Sequence, residues 1–292
     1  MFLKLGQVPT IVVSSADSAE HFLKSHDHVF SSRPTHEANT FLDYGTGGLA
    51  FSKYGAYWPN MRKFCTIQLL SASKVDSFEP LRKKELQQAV NFLQKAAMDG
   101  EVVDLSERIH DVVEDFVYKM VLGRNKDAEH PRVMKNLQDE LDNVVGRNKL
   151  VEENDLAKLS YLDIKNTSVI INLWAIGRDA KTWSDNAEVF YPERFINSNL
   201  DYRGNGLQFM PFGFGRRGCP GMLLGVTTVK LLVAQLVHCF NWELPQNIAP
   251  IDLDMTEKSG FSTPRLNHLL AVPRYRSSSY ESSWWISKLI FF

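Results

Sequence analysis

Cysteine is scarce in this chain. Cys65, Cys219 and Cys239 are the only three in 292 residues, and no C-x-x-C spacing occurs. An odd, scattered count excludes a disulfide framework or a zinc ribbon and suits a reducing compartment. An excess of one charge is missing too. Lys and Arg number 33 against 34 Asp and Glu, leaving a formal net charge of −1. No global field draws such a chain to nucleic acid. No N-terminal signal or spanning segment is read, because Lys4 interrupts residues 1–5. The longest apolar stretch, 231–237, is too short to cross a bilayer. Repeats and low-complexity tracts are also absent. What the chain does have is apolar mass, 44% hydrophobic and 11% aromatic. That is enough for one large domain or two ordinary ones.

The patterning is mainly helical with a small β part. Residues 1–5 and 9–13 predict two short strands around Gly6. Ser14 and Ser15 offer an N-cap to a helix over 17–24. Residues 31–55 are rich in Ser, Thr and Gly with no period, which predicts a long loop. Helices are predicted over 57–70 and over 79–97, where Leu86, Val90 and Leu93 share a face. Another has Leu105, Ile109, Val112, Phe116, Met120 and Val121 on one side and ends at Gly123. A further helix carries Val133, Leu137, Leu141 and Val145. Residues 167–176 are β-branched and apolar, which predicts a buried strand. Residues 221–239 are apolar nearly all round, which predicts a buried helix. Strands and turns are expected after 241.

One segment stands apart. Residues 211–221 read Pro-Phe-Gly-Phe-Gly-Arg-Arg-Gly-Cys-Pro-Gly and lead into the apolar helix. Closely spaced glycines let a backbone approach something flat and large without Cβ clashes. Pro220 suits the first helical position. The helix end, Arg216 and Arg217 put positive charge beside the Cys219 sulfur, which favours thiolate, the form that binds metals. A buried structural cysteine is the plainer reading of Cys219 taken alone, and it is the one adopted for Cys65 and Cys239.

The pattern Phe212-x-x-Gly215-x-Arg217-x-Cys219-x-Gly221 resembles the haem-binding signature of the cytochrome P-450 family. The resemblance extends along the chain to the plant microsomal A-type members. Leu5-Gly6, Pro9 and residues 11–15 resemble their opening hairpin. Tyr57-Trp58-Pro59-Asn60-Met61-Arg62-Lys63 resembles the helix along one haem edge, with Pro59 where the family usually has Arg. Tyr191-Pro192-Glu193-Arg194-Phe195 resembles the element before the cysteine loop, and residues 174–179 with Trp183 resemble the strand and turn before that. Residues 240–242 and 268–273 resemble the closing β region.

This resemblance implies a mainly α fold with a small β region, a partial cytochrome P-450 fold around haem b over residues 1–276. It implies Cys219 as the thiolate ligand of the iron. Trp58, Arg62 and Arg217 would meet haem propionates, which suits the planar fork of Arg. Phe212 would pack beside the sulfur, while Gly213, Gly215 and Gly221 would admit the porphyrin. The implied activity is a monooxygenase that inserts one oxygen atom of O2 into a small apolar substrate. Electrons would come from NADPH through NADPH-cytochrome reductase, a flavoprotein, at the cytosolic face of the endoplasmic reticulum membrane.

Two family blocks are missing, and so is the N-terminal anchor. Family members carry a long central helix whose acid-threonine pair delivers protons during oxygen activation. No Asp-Thr or Glu-Thr dipeptide occurs here, and the text jumps near 127/128. The family's Glu-x-x-Arg helix should follow Ile164, but Lys165 comes instead, a second gap at 164/165. Glu79-x-x-Arg82 and Glu129-x-x-Arg132 do not sit in that helix. Arg194 would then lack its usual buried partners and read as a solvated residue. Beyond Arg276, residues 277–283 form a polar linker and 284–292 are apolar and aromatic. That tail suits a membrane interface, or an extension with no selected role. The alternative function is a non-catalytic, truncated haem-binding or poorly folded product of a monooxygenase gene.

Overall fold

Apolar alternation in the first positions folds into a hairpin. β1 (Phe2–Leu5) and β2 (Val8–Val13) pair antiparallel, from Phe2 opposite Ile11 to Leu5 opposite Val8. The computed structural model describes residues 1–6, 8–34, 48–123, 168–184, 187–204, 206–245, 248–260 and 262–276. After the hairpin, the Ser15 hydroxyl accepts from the Ser18 N–H and starts α1 (Ala16–Glu20), which widens into a π-turn over His21–Ser25. α2 (Asp27–Phe30) follows. α3 (Tyr57–Cys65) carries Pro59 in its first turn, where the lost N–H would have no helical partner. It continues as a π-turn over Thr66–Leu70.

α4 (Ala72–Ser77) and α5 (Glu79–Asp99) come next. β3 (Val103–Asp104) leads into α6 (Leu105–Leu122), whose first turn is capped by the Asp104 carboxylate accepting from the Glu107 N–H at 2.8 Å. β4 (Ser168–Ile171) pairs parallel with β2. The strand predicted over 167–176 stops there. The Asn172 N–H closes the ladder on the Val13 carbonyl at 2.8 Å, and its side chain accepts from the Ala175 N–H. That cap turns the rest into α7 (Leu173–Ile176). Asn is a strong cap residue, and here it overrides the β-propensity of its neighbours. α8 (Ala180–Trp183), α9 (Met222–Cys239), β5 (Phe240–Glu243) and β6 (Leu270–Tyr275) complete the elements used below.

The chain divides into two units, Met1–Gln68 with Pro131–Met222, and Leu69–His130 with Leu223–Phe292. In the first, sheet β1-β2-β4 and α1 close over Val13, Ala19, Ile176, Leu207 and Met210. Phe214 packs on this core and so anchors the cysteine loop. In the second, α5 and α6 pack together beside sheet β3-β6-β5. Val90, Leu93, Ala96, Val103 and Phe240 form one cluster there, and Ala89, Val112 and Leu232 another.

Two expectations change at α9. It is long and apolar enough to cross a membrane by length and composition, although no such span was read from the sequence. It is also not buried. Leu232 is its one buried residue, while Val229, Val233 and Val237 are 54–59% exposed. A helix apolar on every side needs neighbours on every side. Of its residues, Leu232, Leu236 and Cys239 join the buried clusters. The helix predicted around 133–145, the gaps near 127/128 and 164/165, residues 35–47 of the predicted loop and the 277–292 tail lie outside the described residues.

Candidate cofactor site

The cysteine loop is shaped by its own backbone. Gly213 and Gly215 adopt φ of +70° and +66°, a region that L side chains rarely enter. A Cβ on Gly215 would also stand 2.6 Å from the Leu23 carbonyl oxygen. These two glycines are therefore required by the fold of the loop itself. The chain then tightens into a 3-10 turn over Gly215–Arg217, and the Cys219 N–H donates to the Phe212 carbonyl at 2.8 Å. Phe212 is half-buried, and Cys219 ends exposed. Half-buried Gly221 lies in the turn before α9, which begins at Met222 rather than at Pro220. Cys65 and Cys239 are half-buried and free, and burial pushes the Cys239 thiol up.

The arginines beside the cysteine are committed elsewhere. Arg216 pairs with Asp27 at 2.9 Å and donates to the Tyr54 hydroxyl at 3.0 Å. Arg217 turns inward. Its Nε donates to the Ser31 carbonyl at 2.6 Å and its Nη2 to the Ser52 carbonyl at 2.5 Å. Its guanidinium lies 4.0 Å from the centre of the Trp58 ring, and that of Arg62 lies 5.4 Å from it. Trp58 is 3% exposed, and its indole N–H donates to the Leu49 carbonyl at 2.8 Å. Burial lowers the Arg62 guanidinium, and Cys219 lies near enough to act in the opposite direction.

The structure thus brings Trp58, Arg62, Arg217 and Cys219 into one neighbourhood. Its electrostatics are lopsided. Burial, then the positive charges of Arg33 and Arg62, push Arg217 down to about 10, with Tyr54 acting the other way. Arg217 Nη1 is buried and has no hydrogen-bond partner among the described residues. Such a donor normally finds an acceptor. An open cleft of about 330 Å³ adjoins the cluster, lined by Tyr54, Trp58, Arg62, Ile67 and Arg216 among others. Clustered cations with an orphan donor suit an anionic cofactor edge, and an exposed thiol suits a metal. The residues present therefore fit haem.

The sequence did not announce the carbonyls of Ser31, Leu49 and Ser52, nor Arg33, Tyr54 and Asp27. A region without periodicity carries no signal of which backbone atoms face inward. Arg194 bonds within its own turn, to the carbonyls of Tyr191 at 3.0 Å and Val189 at 2.8 Å.

The profile of the cytochrome P450 family matches residues 1–129 and 164–272. The chain belongs to the cytochrome P450 family. Among curated plant relatives, cytochrome P450 CYP736A12 of Panax ginseng is 34% identical over 432 positions, covering 94% of this chain and 86% of the relative. Cytochrome P450 71A1 of Persea americana is 28% identical, covering 90% and 84%. The first alignment spans 432 positions against 292 residues here, so long internal gaps fall on this chain's side. A zebrafish cytochrome P450 structure with progesterone shares the fold, at a TM-score of 0.68 and 17% identity over 94% of this chain and 96% of that one. These matches place the chain among plant A-type P450s, a family of haem- and iron-binding monooxygenases. The cofactor is haem, with NADPH serving it through a reductase as is usual in the family.

Proposed function

We propose that this P450 chain is a haem-thiolate monooxygenase acting on a small apolar substrate, with Cys219 as its iron ligand. The observation that carries the reading is the buried Arg217 Nη1, without a hydrogen-bond partner among the described residues, set among cations near Cys219. Arg62 and Arg217 would hold propionates, because a carboxylate supplies both the missing acceptor and the missing negative charge. Trp58 would back them with its ring, and its N–H would have to leave the Leu49 carbonyl to reach a carboxylate itself. Phe212 would shield the sulfur. Gly213 and Gly215 would keep the loop low enough for a flat ring, with Gly221 clearing the turn behind it. Residues 1–276 would form the haem-thiolate domain. Haem bound there would supply O2 activation, one oxygen atom entering the substrate and the other leaving as water, with two electrons from NADPH through a flavoprotein reductase. By likeness to plant relatives, the site would work at the cytosolic face of the endoplasmic reticulum.

A second reading has its own support. No Asp-Thr or Glu-Thr dipeptide occurs in the chain, and the relatives align only across long internal gaps. General acid delivery is typically worth 10²–10⁴ in rate. On this reading the chain binds haem but uncouples NADPH consumption from product.

The reduced, CO-bound absorption spectrum tests the ligand. Cys219→Ala should abolish the red-shifted thiolate band, while Cys65→Ala and Cys239→Ala keep it. A thiolate band that survives Cys219→Ala overturns the assignment. Measuring NADPH consumed against product formed, with reductase supplied, separates the two readings.

A further inference from the structure

The two arginines of the cysteine loop tie it to the same two segments. Arg217 takes the main-chain carbonyls of Ser31 and Ser52. Arg216 takes side chains close to them in sequence. Its Nε pairs with Asp27 Oδ2 at 2.9 Å, and its Nη1 donates to the Tyr54 hydroxyl at 3.0 Å. Those segments are tied in turn. The Ser31 hydroxyl donates to the Asp27 carbonyl, and the Tyr54 N–H donates to the Ser32 hydroxyl at 3.3 Å. The Tyr54 and Trp58 ring centres lie 5.8 Å apart, and the Trp58 ring is the one 4.0 Å from the Arg217 guanidinium.

A loop framed by glycines needs such ties, because glycine has the most backbone freedom to lose. The loop's own bonds are short-range. The Gly213 N–H donates to the Met210 carbonyl at 3.0 Å, the Gly218 N–H to the Gly215 carbonyl at 3.0 Å, and the Cys219 N–H to the Phe212 carbonyl at 2.8 Å. These bonds shape the turn without fixing where it stands. Its position comes from Phe214 in the core and from the two arginines. The planar guanidinium fork suits this, since it fixes two donor directions at once. The Arg216 side chain is 46% exposed and that of Asp27 26%. A pair so open to water adds little to global stability. Its effect is on the place of the turn.

We propose that Asp27 and Tyr54 are positioning residues that act through Arg216 to hold the Gly215–Arg217 turn, and with it Cys219, in place. The inference rests on Cys219 as the iron ligand. A metal ligand has to be held to within about 0.5 Å by residues that are themselves fixed. Neither Asp27 nor Tyr54 belongs to the glycine-cysteine pattern, and neither needs to touch the cofactor to act.

Two measurements test this. Hydrogen exchange of the haem-free full chain reads the loop, and the reduced, CO-bound spectrum of the haem-loaded chain reads the ligand. In Asp27→Asn the amides of 213–219 should exchange about two- to fivefold faster, the range for one exposed ion pair. The red-shifted thiolate band should decay faster by a similar factor. Tyr54→Phe should do less, because it keeps the ring beside Trp58. Asp27→Asn combined with Arg216→Gln should be no worse than Arg216→Gln alone, since residues acting through one contact are not additive. The urea midpoint of the haem-free chain should stay the same throughout. Wild-type exchange in Asp27→Asn, additive effects in the double variant, a lowered urea midpoint, or a thiolate band as long-lived as the wild type's would each overturn the proposal. A wild-type chain with no thiolate band would overturn the ligand reading instead, and hydrogen exchange would still decide whether Asp27 and Tyr54 hold the turn.

Discussion

Each unit draws a charged side chain inward, and the charges that face the two differ in sign. In the second unit Glu85, on α5, is 3% exposed and meets Lys119, on α6, at 2.7 Å. Its charge is paired by the fold through Oε2, while Oε1 has no hydrogen-bond partner among the described residues. In the first unit half-buried Arg217 faces the cations Arg33 and Arg62, with Tyr54 acting the other way, and its Nη1 has no acceptor among the described residues. A buried pair completed by the chain is architecture. A half-buried cation beside like charges favours an anion as the group that would complete it.

Breaking the completed pair should give the larger effect on folding. Lys119→Met leaves Glu85 as a lone buried carboxylate between α5 and α6, and uncompensated buried charges cost about 3–5 kcal/mol. Urea unfolding should show a loss of that order. Adding Glu85→Leu should recover most of it, because replacing both partners with apolar groups is often near neutral. A single-variant loss below about 1 kcal/mol would mean that water reaches Glu85, and the contrast with Arg217 would weaken.

Breaking the incomplete site should show in ligand retention. Arg217→Ala removes a charge-assisted bond worth about 1.5–3 kcal/mol, so haem affinity should fall about ten- to a hundredfold. The pH dependence sharpens the point. Arg217 is held near 10 in the folded chain, below the ordinary value for Arg. Above pH 10 the folded chain loses this proton before the unfolded chain does, so stability from this group rises with pH there. An anion opposite prefers the charged form, so haem affinity should fall as pH climbs through about 10. In Arg217→Gln that slope should vanish. Haem transfer to a haem-free acceptor protein, followed from pH 7 to 11, measures both.

How much of this was legible follows the same division. Helices 57–70, 79–97 and the one ended by Gly123 were readable because period and stop signals agree. The turn that carries Cys219 and Arg217 was readable because its glycine frame has a fixed spacing. Glu85–Lys119 was not, since two charges 34 residues apart on separate helices leave no local pattern. The Ser31 and Ser52 carbonyls that hold Arg217 were hidden because main-chain acceptors have no residue type. The strand over 167–176 was over-read because one Asn cap outweighs a run of β-formers. α9 was misread because uniform apolarity says that a helix wants cover, not that it has it.

The smallest expected effect separates the two kinds of charge from the acid side. Asp104 is a charge that the fold satisfies locally. Burial raises its carboxyl, but the Glu107 N–H, His268 and the Ser106 N–H together outweigh that and hold it below its usual value. His268 Nδ1 stands 2.7 Å from its Oδ2. A carboxyl lowered on folding contributes stability above its unfolded pKa, and the contribution is lost as pH falls through the folded pKa. The loss should therefore lie below about pH 4, the ordinary range for Asp. Asp104→Ala should cost about 1 kcal/mol at neutral pH through the lost cap of α6. Asp104→Asn should keep most of the cap, because Asn accepts from the same N–H, yet should flatten the acid slope. Urea midpoints of the three chains between pH 3 and 7 decide this. Parallel curves for the wild type and Asp104→Asn would show that the carboxylate's charge contributes nothing beyond its oxygen.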